Sequence, residues 1–230
     1  MIDSFQAGGR TVKVLYLDNH LLAVEKPPNM PTQADESRDL DLLTACKAYI
    51  AEKFQKPGEA FLGLVHRLDR PAGGAMVFAR TSKAAARLTA AFAGHDLEKI
   101  YWAVAQGEMI APGALKDHLI KDADGMVHVT GAETPGAKEA RLTYRPLRTA
   151  QGLTFLEVSL ETGRSHQIRV QLAHAGHPLW GDSRYGGGAP GQQLALWSHR
   201  LTIPHPTRPE RLTFESSPPP SGVWALFPDA

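Results

Sequence analysis

Two segments of this chain place reactive side chains where the backbone would present them. His66-Arg67-Leu68-Asp69 follows an apolar run, Phe61 to Val65, and enters the turn Pro71-Ala72-Gly73-Gly74. Such a strand-to-turn junction is exposed and geometrically special, the sort of place that carries function. An aspartate there can be a nucleophile, a general base or a metal ligand. It can equally be a turn former, because Asp bonds readily to its own local backbone. The second segment, Thr162-Gly163-Arg164-Ser165-His166-Gln167-Ile168-Arg169, joins a glycine turn to a helix start carrying two arginines and a histidine. Helix N-termini with arginines suit phosphate groups, and a solvated face with incidental basic residues is the alternative.

Other residue types admit rival chemistries. A glycosidase also uses an aspartate at an anomeric carbon but needs a second positioned carboxylate, for which Glu98, Glu161 and Asp182 are available. His174 and His177 with Asp182 raise metal binding, a weak spacing for which structural roles are the better expectation. The single cysteine, Cys46, excludes an intramolecular disulfide and sits in an apolar helical pattern, as a small core residue would.

The elements that must position these residues alternate between strand and helix periods. Val12 to Leu17 and Leu21 to Glu25 form a hairpin about Asp18-Asn19-His20, ended by Lys26-Pro27-Pro28. Leu42, Leu43, Cys46, Tyr49 and Ile50 recur at helical spacing, predicting a helix over Asp39 to Phe54. Strands are expected at Phe61 to Val65 and Ala75 to Ala79, then a helix from Lys83 to Phe92 with Ser82 as N-cap. In Lys99 to Ala105, Ile100, Trp102 and Val104 share one face, so Tyr101 points to the other. Val127 to Val129, Glu139 to Leu147 and Leu153 to Leu160 are further strands, and two more flank Pro204-His205-Pro206. A helix is expected after Ser165 and up to Ala175, with Ile168, Leu172 and Ala175 packed inward and His166 and Arg169 sharing an adjoining face. With no repeat and no long linker, the chain reads as a single α+β domain over 1–230, mostly antiparallel.

Composition bounds the rest. At 230 residues the apolar content supports a substantial core. The start Met1-Ile2-Asp3-Ser4-Phe5 lacks signal-peptide character and no apolar run is long enough for a bilayer, so a soluble, cytoplasmic protein with no membrane association is expected. The net charge of +1 lacks the excess typical of nucleic-acid binders. The charge is uneven, however: Arg67, Arg70, Arg80, Lys83 and Arg87 lie in one stretch, and Arg164, His166 and Arg169 in another, allowing a local basic cleft.

With its motifs in order, the sequence resembles the RluA/RsuA family of RNA pseudouridine synthases, RluA-like in lacking an S4 domain. The likeness runs from Val14 to about Pro206, within a catalytic core of about 12–206. The resemblance implies that Asp69 of His-Arg-Leu-Asp is the catalytic nucleophile and that Tyr101 of Glu98-Lys99-Ile100-Tyr101 is the active-site tyrosine. It implies that Arg169 of Thr-Gly-Arg-x-His-Gln-Ile-Arg is the arginine paired with the aspartate. It further implies a mixed, mostly antiparallel sheet with flanking helices and a central RNA-binding cleft, with Arg67, Arg164 and His166 binding substrate. One departure stands out: the family commonly follows its Asp with two residues and then Thr-Ser-Gly, where this chain has Ala72-Gly73-Gly74. The catalytic domain is expected to begin almost at the N-terminus, without the small S4-type domain of many relatives, and target capture is expected to rest on the catalytic domain.

The implied reaction needs no cofactor and no metal, since a carboxylate can act at ribose C1′, at C2′ or at the base. A cation such as Arg169 would keep that carboxylate charged in a partly dry pocket. The uridine must be flipped out of its stack, Arg67 can stack on bases or contact phosphates, and Tyr101 can stack on uracil and assist proton removal from C5. The expected partner is ribosomal or transfer RNA, and the expected state is a monomer.

Overall fold

A computed structural model of the chain describes residues 3–189 and 191–228. The fold is α+β, a mixed, mostly antiparallel sheet with flanking helices. Its residues group into two compact units, one ending at Glu98 and taking in Ser198–Ser217, the other formed by Lys99–Trp197 with the chain from Pro218.

In the first unit, β1 (Ser4–Ala7), β2 (Arg10–Leu17), β3 (Leu21–Lys26), β5 (Gly73–Ala79) and β11 (Leu196–Pro204, entering this unit at Ser198) lie side by side. β4 (Gly63–Leu64) pairs with β5, and β12 (Arg211–Glu215) with β11. The β2–β3 hairpin is closed by Asp18, whose Oδ1 accepts the amides of His20 and Leu21, each at 2.8 Å. Period-two alternation sends Leu21 and Ala23 of β3, with Ala75, Val77 and Ala79 of β5, to one face, covered by Ala84 and Leu88 of α2 (Ser82–Ala93). Leu22, Val24 and Lys26 alternate to the other face, all buried. The helix α1 (Leu42–Lys53) buries Leu42, Cys46 and Ile50, and its Tyr49 stacks on Phe5 of β1 at 4.5 Å. Burial pushes the Cys46 thiol upward, as befits an inert core residue.

Several boundaries differ from expectation for local reasons. Helix α1 starts at Leu42 because Asp41 is the N-cap, accepting Thr44 N–H at 3.0 Å. Thr81, rather than Ser82, caps α2 through Ala84 N–H at 3.1 Å. The strand expected over Phe61 to Val65 shrinks to Gly63–Leu64, and β5 begins two residues early, at Gly73. β1 was not foreseen.

The second unit orders its strands as β6 (Glu98–Gln106, joining from Lys99), β10 (Leu153–Leu160), β9 (Lys138–Ala150), β7 (Gly113–Lys121) and β8 (Val127–Thr130). Trp102 and Val104 pack with Phe155, Trp197, Trp224 and Phe227 on one face, closed by a short 3-10 turn, Gly222–Leu226. Both that turn and β7 escaped sequence reading. The opposite face carries α3 (Gln167–His174), whose Val170 meets Leu119, Val127 and Ala140. Ile168 and Leu172 of α3 are buried as expected, whereas Ala175 falls beyond the helix and is exposed. Among the described residues no helix is long and apolar enough to cross a membrane.

Candidate active site

In the first unit, Asp69 lies in an irregular extended segment between β4 and β5, half-buried, while Arg67 is exposed. The expected strand end is therefore absent, and the backbone of this segment is held by other means. His66 stacks on Phe92 at 4.7 Å, and its Nε2 accepts the Val77 amide of β5 at 3.0 Å. Leu68 is buried, and its carbonyl accepts the Thr32 hydroxyl at 2.9 Å. Beyond Asp69, the Ala72 amide donates to the Asp69 carbonyl at 3.0 Å, a turn hydrogen bond.

The strongest anchor of this turn is Lys26, the last residue of β3 and 0% exposed. Its ammonium donates to Pro27 O at 3.1 Å, Arg70 O at 2.9 Å and Ala72 O at 2.7 Å. Burial drives the lysine down to about 7, opposed by the charge of Asp69 and assisted by Arg10 and Arg70. Sequence reading passed over Lys26 as a strand end. Its alternation with Leu22 and Val24 was the available signal, since it sets the lysine on an inward face.

In the second unit, the β10 register places Tyr101 opposite Val158, and Val158 opposite Tyr144 of β9. Directly opposed residues point the same way. Tyr101, half-buried, therefore shares the sheet face of Ala140 and Leu142, on which α3 packs, and lies opposite in sense to Trp102.

Arg169 emerges from α3 only 5% exposed. Its Nε and Nη2 donate to Oδ2 and Oδ1 of Asp182, each at 2.8 Å, a bidentate fork against a carboxylate that is 1% exposed. Burial works against the Asp182 charge, but the guanidinium and the amides of Tyr185 and Arg184 outweigh it, holding this carboxyl below the usual range. The guanidinium also lies over the Tyr185 ring at 5.1 Å.

His166 is not on the helix. It is the N-cap residue of α3, in the left-handed region at φ 52°, with no side-chain cap bond. Such a conformation costs a non-glycine residue on the order of 1–3 kcal/mol. Its Nδ1 lies 2.7 Å from the Tyr185 hydroxyl, which itself accepts the Val127 amide at 3.1 Å. Gln167 braces the same turn, accepting from the Thr162 hydroxyl and the Arg164 amide. Arg164 is exposed, with Nε on Glu139 O at 2.8 Å. Lys99, two residues before Tyr101, reaches Thr162 O at 3.3 Å, and burial followed by the Arg164 charge pushes it down to about 8.

The two basic stretches are less available than their composition suggests. Arg70 is paired with Asp35 and Asp39, Arg80 donates to Asp18 O and lies over the Phe54 ring, and Arg87 donates to Pro206 O. The rival chemistries lose their residues in the same way. Asp182 is committed to Arg169, Glu161 to Arg141 at 2.9 Å, and exposed Glu98 to Thr202 and Arg200. His177 bonds Gln106 O, His174 is exposed, and the described residues contain no group of three or more His, Cys, Asp or Glu able to hold a metal.

Residues 20–174 match the profile of a family described as RNA pseudouridylate synthase. The chain is 34% identical over 209 residues to an uncharacterized RNA pseudouridine synthase, YhcT, of Bacillus subtilis, covering 88% of this chain and 67% of that protein. It is 31% identical over 231 residues to the ribosomal large subunit pseudouridine synthase D of Pseudomonas aeruginosa, covering 94% and 71%. With the protein of the same name from Yersinia pestis it is 36% identical over 175 residues, covering 76% and 52%. The chain thus spans between about half and about seven-tenths of the length of these relatives. Among solved structures, a human protein, RNA pseudouridylate synthase domain containing 4, has the same fold, with a TM-score of 0.73 at 22% identity over 90% of this chain and 88% of that one.

Proposed function

We propose that this chain, which belongs to the RNA pseudouridylate synthase family, isomerises specific uridines of ribosomal or transfer RNA to pseudouridine as an RluA-like synthase, with Asp69 as its nucleophile. The observation that carries the reading is the family match over 20–174, a span that includes His66 to Asp69, Lys99 to Tyr101 and Thr162 to Arg169. Ribosomal RNA is the favoured substrate, because the relatives from Pseudomonas and Yersinia are named for the large ribosomal subunit.

In the reaction the bond between C1′ and the uracil nitrogen breaks, the base turns, and C5 bonds to C1′. The C5 proton then leaves, and the released nitrogen ends protonated. No electron carrier enters. Asp69 starts the sequence by attack at the sugar or base, or by proton removal at C2′. Arg169 supplies positive charge for the carboxylate's reaction, and its own orientation is fixed by Asp182. Tyr101 stacks on the uracil and assists loss of the C5 proton. Arg67, exposed two residues before Asp69, holds the flipped state of the nucleotide, and Arg164 and His166 take the RNA backbone.

Asp69→Asn tests this reading. RNA binding should persist within about threefold while pseudouridine formation on total unmodified RNA falls below detection. Mapping pseudouridines in cellular RNA with and without the gene identifies the target. If no uridine loses its modification and the purified protein is inactive on total RNA, the synthase assignment fails.

A further inference from the structure

Residues 33–40, in the first unit, are all exposed, and the chain is pinned where it leaves and re-enters the body of that unit. The amides of Leu42 and Leu43 donate to Pro31 O at 2.9 Å and Thr32 O at 3.1 Å, and the Thr32 hydroxyl donates to the carbonyl of Leu68, the residue before Asp69. The result is a closed surface loop rooted beside Asp69, a class of loop that frequently carries function. It bears Asp35, Glu36 and Asp39 against Arg38 alone. Asp35 and Asp39 converge on a single guanidinium, that of Arg70, the residue after Asp69: Nη1 donates to Asp35 Oδ2 at 3.2 Å, and Nη2 donates to Asp39 Oδ2. Asp35 is oriented for this by Ser37, whose amide and hydroxyl donate to its other oxygen at 3.0 and 2.5 Å, and the Ser37 hydroxyl accepts the Asp39 amide at 3.1 Å. The tip of the loop is thus folded around a cation that belongs to the nucleophile's segment.

An arginine next to the nucleophile of an enzyme that acts on a polyanion has a second partner available. A guanidinium pairs with phosphate in the same forked geometry as with carboxylate. The side chains of Arg70, Asp35 and Asp39 are 38%, 40% and 52% exposed, so these ion pairs are screened by water and salt and open at little cost. The bonds at the loop's stems do not involve Arg70 and outlast its release. We propose that the loop 33–40 is an acidic gate on RNA binding: Asp35 and Asp39 occupy Arg70 in the free protein, and a phosphate of the incoming RNA displaces them and takes the arginine. This rests on the proposed function above. An RNA that makes few other contacts meets carboxylates at this position instead of the arginine, so the gate favours RNA already docked elsewhere on the protein.

The test is a double-mutant cycle, with kcat and KM measured on a large-subunit ribosomal RNA transcript for the unaltered protein, for Asp35→Asn with Asp39→Asn, for Arg70→Gln, and for all three substitutions together. Opening the gate should lower KM by about fivefold, the scale of two exposed ion pairs, with kcat held within about threefold. Arg70→Gln alone should raise KM by a similar factor. In the Arg70→Gln background the two aspartate substitutions should no longer change KM by more than about twofold. That last comparison separates the gate from bulk electrostatics, because removing two negative charges favours RNA binding in either background if only net charge matters. An equal fall in KM with and without Arg70 would therefore overturn the proposal, as would a KM unchanged or raised on loss of both carboxylates, or unchanged on loss of Arg70. The unaltered protein separates the two readings. If it is inactive on this transcript and on total RNA, the proposed function fails and the gate with it; if it is active while the variants keep its KM, only the gate fails.

Discussion

Arg169 and Asp182 meet as a two-pronged pair in which Nε and Nη2 of the arginine each lie 2.8 Å from a different carboxylate oxygen. With side chains only 6% and 0% exposed, neither charge has water to fall back on. The pair fixes the orientation of Arg169, and Asp182 also ties down the chain by accepting the Arg184 and Tyr185 amides.

Asp182→Asn should therefore do more than trim one contact. It takes a bidentate carboxylate partner from the buried guanidinium, and removing one member of a buried pair typically costs about 3–5 kcal/mol. Urea unfolding of the variant should show an unfolding free energy lowered by that amount, with turnover reduced in the fraction that remains folded. A variant as stable and as active as the parent would show that the pair neither stabilises the fold nor orients Arg169.

Tyr101→Phe isolates the phenol from the ring. Since the register sets Tyr101 on the α3 face of the sheet, the substituted ring can still stack, and RNA affinity should hold. If the phenol takes part in the C5 proton transfer as proposed, its loss should lower kcat by about 100-fold or more. Parent-like kcat would leave the tyrosine as a stacking platform alone.

Asp18 gives a stability test at acid pH. Burial opposes its charge, but the His20 amide, the His205 imidazole, the Leu21 amide and the Tyr16 hydroxyl together hold it at about 2 against an ordinary 3.8. A depressed folded-state value means that the stabilisation is complete above about 3.8 and is lost as pH falls toward about 2. The difference in Tm between the parent and Asp18→Asn should shrink across that window. A difference independent of pH would assign the effect to packing instead.

How much of this was legible in the sequence depended on range. Asp69, Tyr101 and Arg169 stand in contiguous motifs, and the alternation of Ile100, Trp102 and Val104 correctly sent Tyr101 to the opposite face. The Asp182 partner of Arg169 lies 13 residues away, beyond the helix, and its carboxylate suggested a metal or a glycosidase as readily as an ion pair. β7 was missed because Leu115 and Leu119 are interrupted by Lys116, Asp117 and His118, a pattern too polar for a strand until β9 and β8 flank it. The helical spacing puts His166 on α3, since nothing local announces that a histidine will adopt a left-handed conformation beside Tyr185.

The last prediction concerns stability at alkaline pH. Burial holds Lys26 down at about 7 in the folded protein against an ordinary 10.5, opposed by the charge of Asp69 and assisted by those of Arg10 and Arg70. Between these values the unfolded chain binds more protons than the folded one, so this group makes folding more favourable as pH rises through about 7 to 10.5. The urea midpoint of the parent should therefore gain a rising contribution between about pH 7 and pH 9, and that gain should vanish in Lys26→Met. A midpoint that changes equally with pH in parent and variant would remove Lys26 from the explanation.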